Sequence, residues 1–143
     1  MKKLLYSFLI FASASLFAQK NPATKFAVAD NIVGTVEMFN GKKEIIQSKK
    51  EYKVAGLPQN LKKFSYIAGN GIVEVKIKKD YVLDRISLAQ LNEQQGLAKD
   101  TPVLIDGYEF SDTNTNIYAD ILSNIEVKDH NGRKTMFIST PQK

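Results

Sequence analysis

The sequence predicts an α+β domain with a mostly antiparallel sheet of hairpins. Three observations predict it. Asn-Gly pairs stand at Asn40-Gly41, Asn70-Gly71 and Asn131-Gly132, each beside β-prone apolar residues, and such pairs suit the positive φ angles of a tight hairpin turn. The stretch 72–79 alternates strictly, with Val73, Val75 and Ile77 on one face and Glu74, Lys76 and Lys78 on the other, the pattern of a half-buried strand. One helical signature is complete: Ser87-Leu88-Ala89-Gln90 reads as a capping box.

The elements follow in chain order. Lys2 and Lys3, an apolar run over 4–11 broken only by Ser7, and the small residues Ala12 to Ser15 have the order of a secretory signal peptide. The run is shorter than the ~20 residues a membrane-spanning helix needs. Ala18 and Gln19 mark a cleavage site, although a cut after Ala14 fits the small-x-small rule better. Residues 19–25 read as a flexible leader. Residues 31–39, rich in Val, Ile, Thr and Phe, lead through Asn40-Gly41 to Ile45-Ile46 as a first hairpin. Gly56-Leu57-Pro58 breaks the chain, and 57–63 is a turn of helix or a loop. Residues 64–68 and 72–79 flank Asn70-Gly71 as a second hairpin. A helix spans 87–95, with Leu88 and Leu91 on its apolar stripe, Ile86 as staple and Gly96 just past its end. Ile117, Tyr118, Ile121 and Leu122 share one face of a short helix over 116–122. Residues 125–129 and 135–139 form a hairpin around Asn131-Gly132. A single domain over 26–143 should gather Ile105, Ile121, Ile125, Val127 and Ile138 with Val73, Val75 and Ile77 in one core.

Composition excludes several chemistries. The chain has 143 residues, no cysteine and one histidine, His130, so neither a disulfide framework nor a thiolate or histidine-rich metal site is available. The formal charge is +5, unevenly spread: residues 19–98 carry 13 Lys and Arg against 8 Asp and Glu, residues 99–143 carry 5 against 7. Ordinary solubility accounts for that balance; a basic face toward anionic glycan or lipid headgroups is the alternative. No nucleic-acid motif organises the basic residues. The recurring lysine pairs, Lys42-Lys43, Lys49-Lys50, Lys62-Lys63 and Lys78-Lys79, discourage edge-to-edge strand pairing.

The last third carries a resemblance. Pro102-Val103-Leu104-Ile105-Asp106-Gly107 is followed by Asp120-Ile121-Leu122-Ser123-Asn124-Ile125-Glu126-Val127-Lys128, then by Asn131-Gly132 and Phe137-Ile138-Ser139-Thr140. This unit, about 101–143, resembles the plug domain of TonB-dependent outer-membrane receptors. The resemblance implies a plug-like fold without catalysis. The receptors' barrel would begin where this chain stops, so the expectation is a plug-like domain that is not itself a transporter. Asn70-Gly71-Ile72-Val73-Glu74-Val75-Lys76 echoes the end of such a unit, through a duplication or, as the simpler reading, through two similar hairpins.

No catalytic constellation, cofactor motif or Gly-rich phosphate loop is readable. Asp106 beside Gly107 reads first as a turn-capping carboxylate. Asp106, Glu109 and Asp112 lack the loop glycine of a calcium-binding EF-hand. Tyr108 and Phe110 share a strand face, and Tyr118 follows; exposed they would suit a sugar or protein contact, buried they are core. The candidate binding residues are therefore Asp106, Tyr108, Glu109, Phe110 and Tyr118. The reading is a non-catalytic domain exported to the periplasm or outer membrane of a Gram-negative envelope, or secreted from it, acting on another envelope protein or as a scaffold, with no transmembrane segment after processing and no cofactor. The alternatives are a binder of carbohydrate or an anionic envelope surface, and a small periplasmic hydrolase using Asp106 or Glu109 near His130.

Overall fold

The computed structural model describes residues 19–142; the signal peptide expected over 1–18, with the Ala18 side of the expected cleavage site, lies outside the described residues. The fold is α+β. In chain order the elements are β1 (Phe26–Ala29), β2 (Ile32–Thr35), α1 (Val36–Asn40), β3 (Ile46–Tyr52), β4 (Ile72–Ile77), β5 (Arg85–Ser87), α2 (Leu88–Gln94), β6 (Val103–Ile105), β7 (Tyr108–Phe110), β8 (Asn116–Tyr118), β9 (Asn124–His130) and β10 (Arg133–Ser139). Short 3-10 segments lie at Lys43–Ile45, Val54–Gly56, Gln59–Ile67 and Ala119–Ile121. One sheet has the order β3-β4-β1-β2-β8-β5 and the other β7-β6-β10-β9. Five strand pairings are antiparallel and three, β1·β4, β2·β8 and β6·β10, are parallel.

Local chemistry explains most elements. Ser87 caps α2: its hydroxyl accepts from Gln90 N, and the Gln90 side chain accepts from Ser87 N at 3.2 Å, the reciprocal arrangement that satisfies two orphan donors. Gly96, with φ +75°, follows the helix as expected. Asn131 and Gly132 have φ 52° and 77° and join β9 to β10 in the expected hairpin.

Three expectations need correction. The first hairpin turns at Asp30-Asn31, whose φ angles are 53° and 63°. Asn40-Gly41 instead ends α1, because the Thr35 hydroxyl accepts from Met38 N at 3.1 Å and starts a helix there. Residues 64–68 are not a strand. Residues 64–67 belong to the 3-10 run Gln59–Ile67, which Ala68 caps and which buries Leu61, Phe64 and Ile67; three residues per turn puts a 61, 64, 67 series on one side. The short helix over 116–122 is strand β8 and one 3-10 turn. Its neighbours Ile117 and Tyr118 go to opposite faces of the sheet, Ile117 into one hydrophobic cluster and Tyr118 into another, as successive strand residues must.

The leader is also tied down. Asn21 N donates to Asp106 O at 2.9 Å, Thr24 is buried, and Lys25 pairs with Glu51 at 2.7 Å. A Cβ on Gly107, with φ +83°, would overlap the Gln19 carbonyl, so only glycine lets the leader lie there.

The topology repeats. β2-β1-β4-β3 and β7-β6-β10-β9 have the same order and the same directions: antiparallel, parallel, antiparallel. The registers agree too. Val28 lies beside Glu74, itself opposite Lys50; Leu104 lies beside Phe137, itself opposite Glu126. Leu104 − Val28 and Glu126 − Lys50 are both 76 positions, and the 3-10 turns Lys43–Ile45 and Ala119–Ile121 share that offset. The echo at 70–76 is therefore part of a repeated four-strand unit and not one of two similar hairpins.

The two units stack head to tail. Phe26, Val28 and Ile72 of the first pack with Val103, Ile105, Met136 and Ile138 of the second in the main core. Counting 76 positions on, Val28 corresponds to Leu104, whereas Val103 and Ile105 correspond to Ala27 and Ala29. Opposite faces of the repeat thus meet. Val73, Val75 and Ile77 do not join this core. They face the other side of the larger sheet with Ala27, Ala29, Phe39 and Tyr118. Val127 is half-buried and in neither cluster.

Ile138→Ala, at 2 % exposure, should lower unfolding free energy by about 2–5 kcal/mol, while Lys76→Ala, at an exposed position near the end of β4, should stay within about 0.5 kcal/mol. Urea denaturation followed by circular dichroism measures both.

Candidate functional site

Asp106 is the most connected candidate, and its connections are internal. Its φ is 49° in the β6–β7 turn. Its carboxylate accepts from Thr24 Oγ1 at 2.7 Å, from Thr140 N at 3.0 Å, from Thr140 Oγ1 and from Gln142 Nε2 at 3.4 Å. Its amide donates to Ile138 O, and its carbonyl accepts from Asn21 N. Thr24 and Thr140 are both buried. The residue therefore fastens the leader and the end of β10 to the β6–β7 turn, with both oxygens occupied.

The aromatic candidates are core. The Tyr108 ring meets Phe26 edge-on at 5.1 Å, and its hydroxyl accepts from Asn70 Nδ2 at 3.1 Å. Burial raises its phenol above the ordinary range, with Asp106 adding to the shift. Phe110, fully buried, sits between Phe26 at 5.8 Å and Tyr66 at 5.3 Å. Tyr118 lies in the other cluster: it donates to Ala29 O at 3.0 Å and meets Phe39 at 5.8 Å. Burial pushes its phenol up to about 12. Glu109 points to the opposite face from Tyr108 and Phe110 and is exposed. The structure thus brings Asp106, Tyr108 and Phe110 to one seam and sends Glu109 and Tyr118 elsewhere.

Glu109 does share a shallow depression of 160 Å³ with His130, Arg133 and Thr135. His130 stacks edge-on with Phe137 at 5.6 Å and contacts the Asn131 side chain at 3.3 Å. Asp106 is not among the residues lining it. Among the described residues no group of three or more His, Asp or Glu could hold a metal ion, and no helix is long and apolar enough to cross a membrane.

Two larger concavities were not foreseen. A groove of 240 Å³ on the outer side of the larger sheet has Ala27, Val73 and Val75 as its floor, Phe39 as a wall, and Lys49 and the Lys25–Glu51 pair at its rim. The salt bridge and hydrogen bond from Lys25 hold the Glu51 carboxyl below its ordinary range. The other, of 280 Å³, is polar and lies between the β1–β2 turn, the 3-10 run and the segment leading into β8. Tyr66 stands in it at 39 % exposure with its phenol pushed up to about 12 by burial, so the neutral hydroxyl persists. Asn70 was also missed. Its side chain donates to Pro22 O, Thr24 O and Tyr108 Oη, joining the leader to the second unit. Nothing local marks an asparagine for such work, since all three acceptors lie at least 38 positions away.

Asp106→Ala should cost about 1.5–3 kcal/mol, the range for hydrogen bonds to a charged group, and free the leader to proteolysis, read by urea denaturation and by trypsin cleavage at Lys20 or Lys25. A second expectation concerns alkali. Tyr66 and Tyr118 have folded pKa values raised from 10.0 to about 12, so their contribution is complete below pH ~10 and is lost as pH rises through ~12. Tyr118→Phe should therefore flatten the decline of the urea midpoint above about pH 10. Comparison with protein-family models, with curated proteins and with solved structures found no match.

Proposed function

We propose that the chain is a non-catalytic domain of the bacterial envelope that acts through contact with another envelope protein, or as a scaffold, with a plug-like last third. The observation that carries this reading is the outer face of the smaller sheet. Neither hydrophobic cluster reaches it. Half-buried Phe137 sits at its centre beside Leu104, which is itself buried at 4 % exposure, and Glu109, Glu126, Lys128, His130 and Arg133 surround them. Lys128 pairs with Glu126 at 2.6 Å and lies over the Phe137 ring at 5.9 Å. A partly accessible aromatic ring inside a charged rim suits a protein contact, in which an aromatic anchor is ringed by polar groups.

Support for export comes from the N-terminal pattern: Lys2-Lys3, an apolar run and small residues before Gln19. Support for binding over turnover comes from Asp106, whose oxygens are engaged in holding the fold.

Two measurements test the proposal. Cell fractionation should recover a processed chain in the envelope fraction, and uncleaved protein in the cytoplasm would overturn the export half. Crosslinking in intact cells should join the wild-type chain to a reproducible envelope protein. Phe137→Glu should reduce that product at least about tenfold, the equivalent of ~1.4 kcal/mol, with the unfolding midpoint retained. The same yield from the variant, or no product from the wild type, would remove the contact reading.

A further inference from the structure

We propose that the polar concavity beside Tyr66 is a binding site for a neutral, polyhydroxylated ligand of the size of a sugar ring. The inference goes beyond the protein-contact reading and uses different residues.

The site is made from three separate parts of the chain. Asn31 comes from the β1–β2 turn, Lys63 and Tyr66 from the 3-10 run, and Asp112, Asn114 and Asn116 from the segment that enters β8. Its volume, 280 Å³, lies just below the range of ligand pockets, roughly 300–1,000 Å³, which suits one ring better than an extended chain.

The chemistry of the lining selects the ligand class. An asparagine amide offers two donors and an acceptor at once, the combination that vicinal hydroxyls require, since each hydroxyl both donates and accepts. Three such amides, all on exposed residues, line one hollow, and the Asn31, Asn114 and Asn116 side chains make no hydrogen bond to any described residue. Several other asparagines of this protein behave differently. Asn70 and Asn92 spend their amides on backbone carbonyls, and Asn60 on Glu74. Three unspent amides line this one hollow, where a ligand could use them.

Tyr66 supplies the apolar wall. One side of its ring is fixed by an edge contact with buried Phe110, centroids 5.3 Å apart at 81°, and the ring is 39 % exposed. A fixed, half-exposed aromatic ring with a polar tip is a low-entropy platform for the C–H face of a sugar. The two formal charges in the lining, Lys63 and Asp112, are of opposite sign, so the hollow has no net preference for an ion. Asp112 Oδ1 accepts from Asn114 N at 3.0 Å, which leaves Oδ2 as an acceptor.

The site is also pre-formed, which lowers the ordering cost of binding. Asn31 is held with φ 63° in a tight hairpin turn. Thr115 N donates to Asp112 O at 3.1 Å, and Thr113 O and Thr115 O accept from Ala89 N and Leu88 N at the start of α2. Asn116 is registered between Ile32 of β2 and Ser87 of β5.

The test is a titration of the purified processed chain with glucose, galactose, mannose, N-acetylglucosamine and chitotriose, followed by amide-detected NMR. At least one of these should shift the side-chain amide signals of Asn31, Asn114 and Asn116 together. Asn114→Ala with Asn116→Ala should weaken that binding at least about tenfold and leave the unfolding midpoint unchanged; each single variant is read separately if the pair fails to fold. Affinity should be the same within about twofold between low and high salt, since no net charge is screened. The proposal is overturned if none of the five saccharides shifts those amides, if the variants bind as well as wild type, or if affinity falls steeply with salt. Crosslinking through Phe137 shares no residue with this site, so failure of one leaves the other standing.

Discussion

The structure depends on one interface, the stacking of the first four-strand unit on the second around Phe26. This ring meets Tyr108 at 5.1 Å and Phe110 at 5.8 Å, both in the second unit. A four-strand unit with two apolar faces cannot satisfy both alone. Stacking head to tail buries one face of each, Phe26 and Val28 against Val103 and Ile105, and leaves two faces over. The first unit closes its spare face with Phe39 from α1 and Tyr118 from β8. In the second unit the spare face buries Leu104 and leaves Phe137 half-exposed amid charges, which is why a contact surface is proposed there. Filling the seam also fixes the role of the 3-10 run, whose Leu61, Phe64 and Ile67 all enter the same core.

The seam decides what the polar residues do. Where the leader, the β6–β7 turn and the end of β10 converge, backbone groups would otherwise lose water without gaining partners, which is costly. Asp106 and Asn70 answer that need and are consumed by it. Polar residues away from the seam face no such demand. The Asn31, Asn114 and Asn116 amides remain available, and recognition is assigned to them for that reason. A carboxylate in a tight turn and an asparagine in a loop look alike in sequence; their partners separate them.

Much of the fold was legible wherever a local rule was sufficient. The Ser87 capping box, the Asn131-Gly132 turn and the alternation through Val73, Val75 and Ile77 each rest on neighbours within a few residues. Where two local rules competed, the weaker signal in sequence won. Asn40-Gly41 suits a hairpin, but Thr35 caps a helix first, and Asp30-Asn31 makes the turn. Ile117, Tyr118 and Ile121 fit a helical stripe as well as a strand, and pairing with β2 and β5 settled it. The repeat was visible only as the echo at 70–76, because the link between β3 and β4 is far longer than the two residues between β9 and β10. Of the candidate residues, Asp106, Tyr108 and Phe110 share one seam, but as structure. The residues that line the polar concavity were out of reach, because an amide's lack of partners is a tertiary property.

The central claim is that both units stand or fall on the shared face. Phe26→Ala with amide hydrogen exchange tests it most directly, since exchange reports opening free energy residue by residue. Phe26 lies in β1 and touches no residue of β10 by ring contact. The account predicts that the slowest amides of β4 and of β10 lose protection together and by the same factor. Loss confined to β4, with β10 keeping its wild-type protection, would contradict it and make the second unit independently stable.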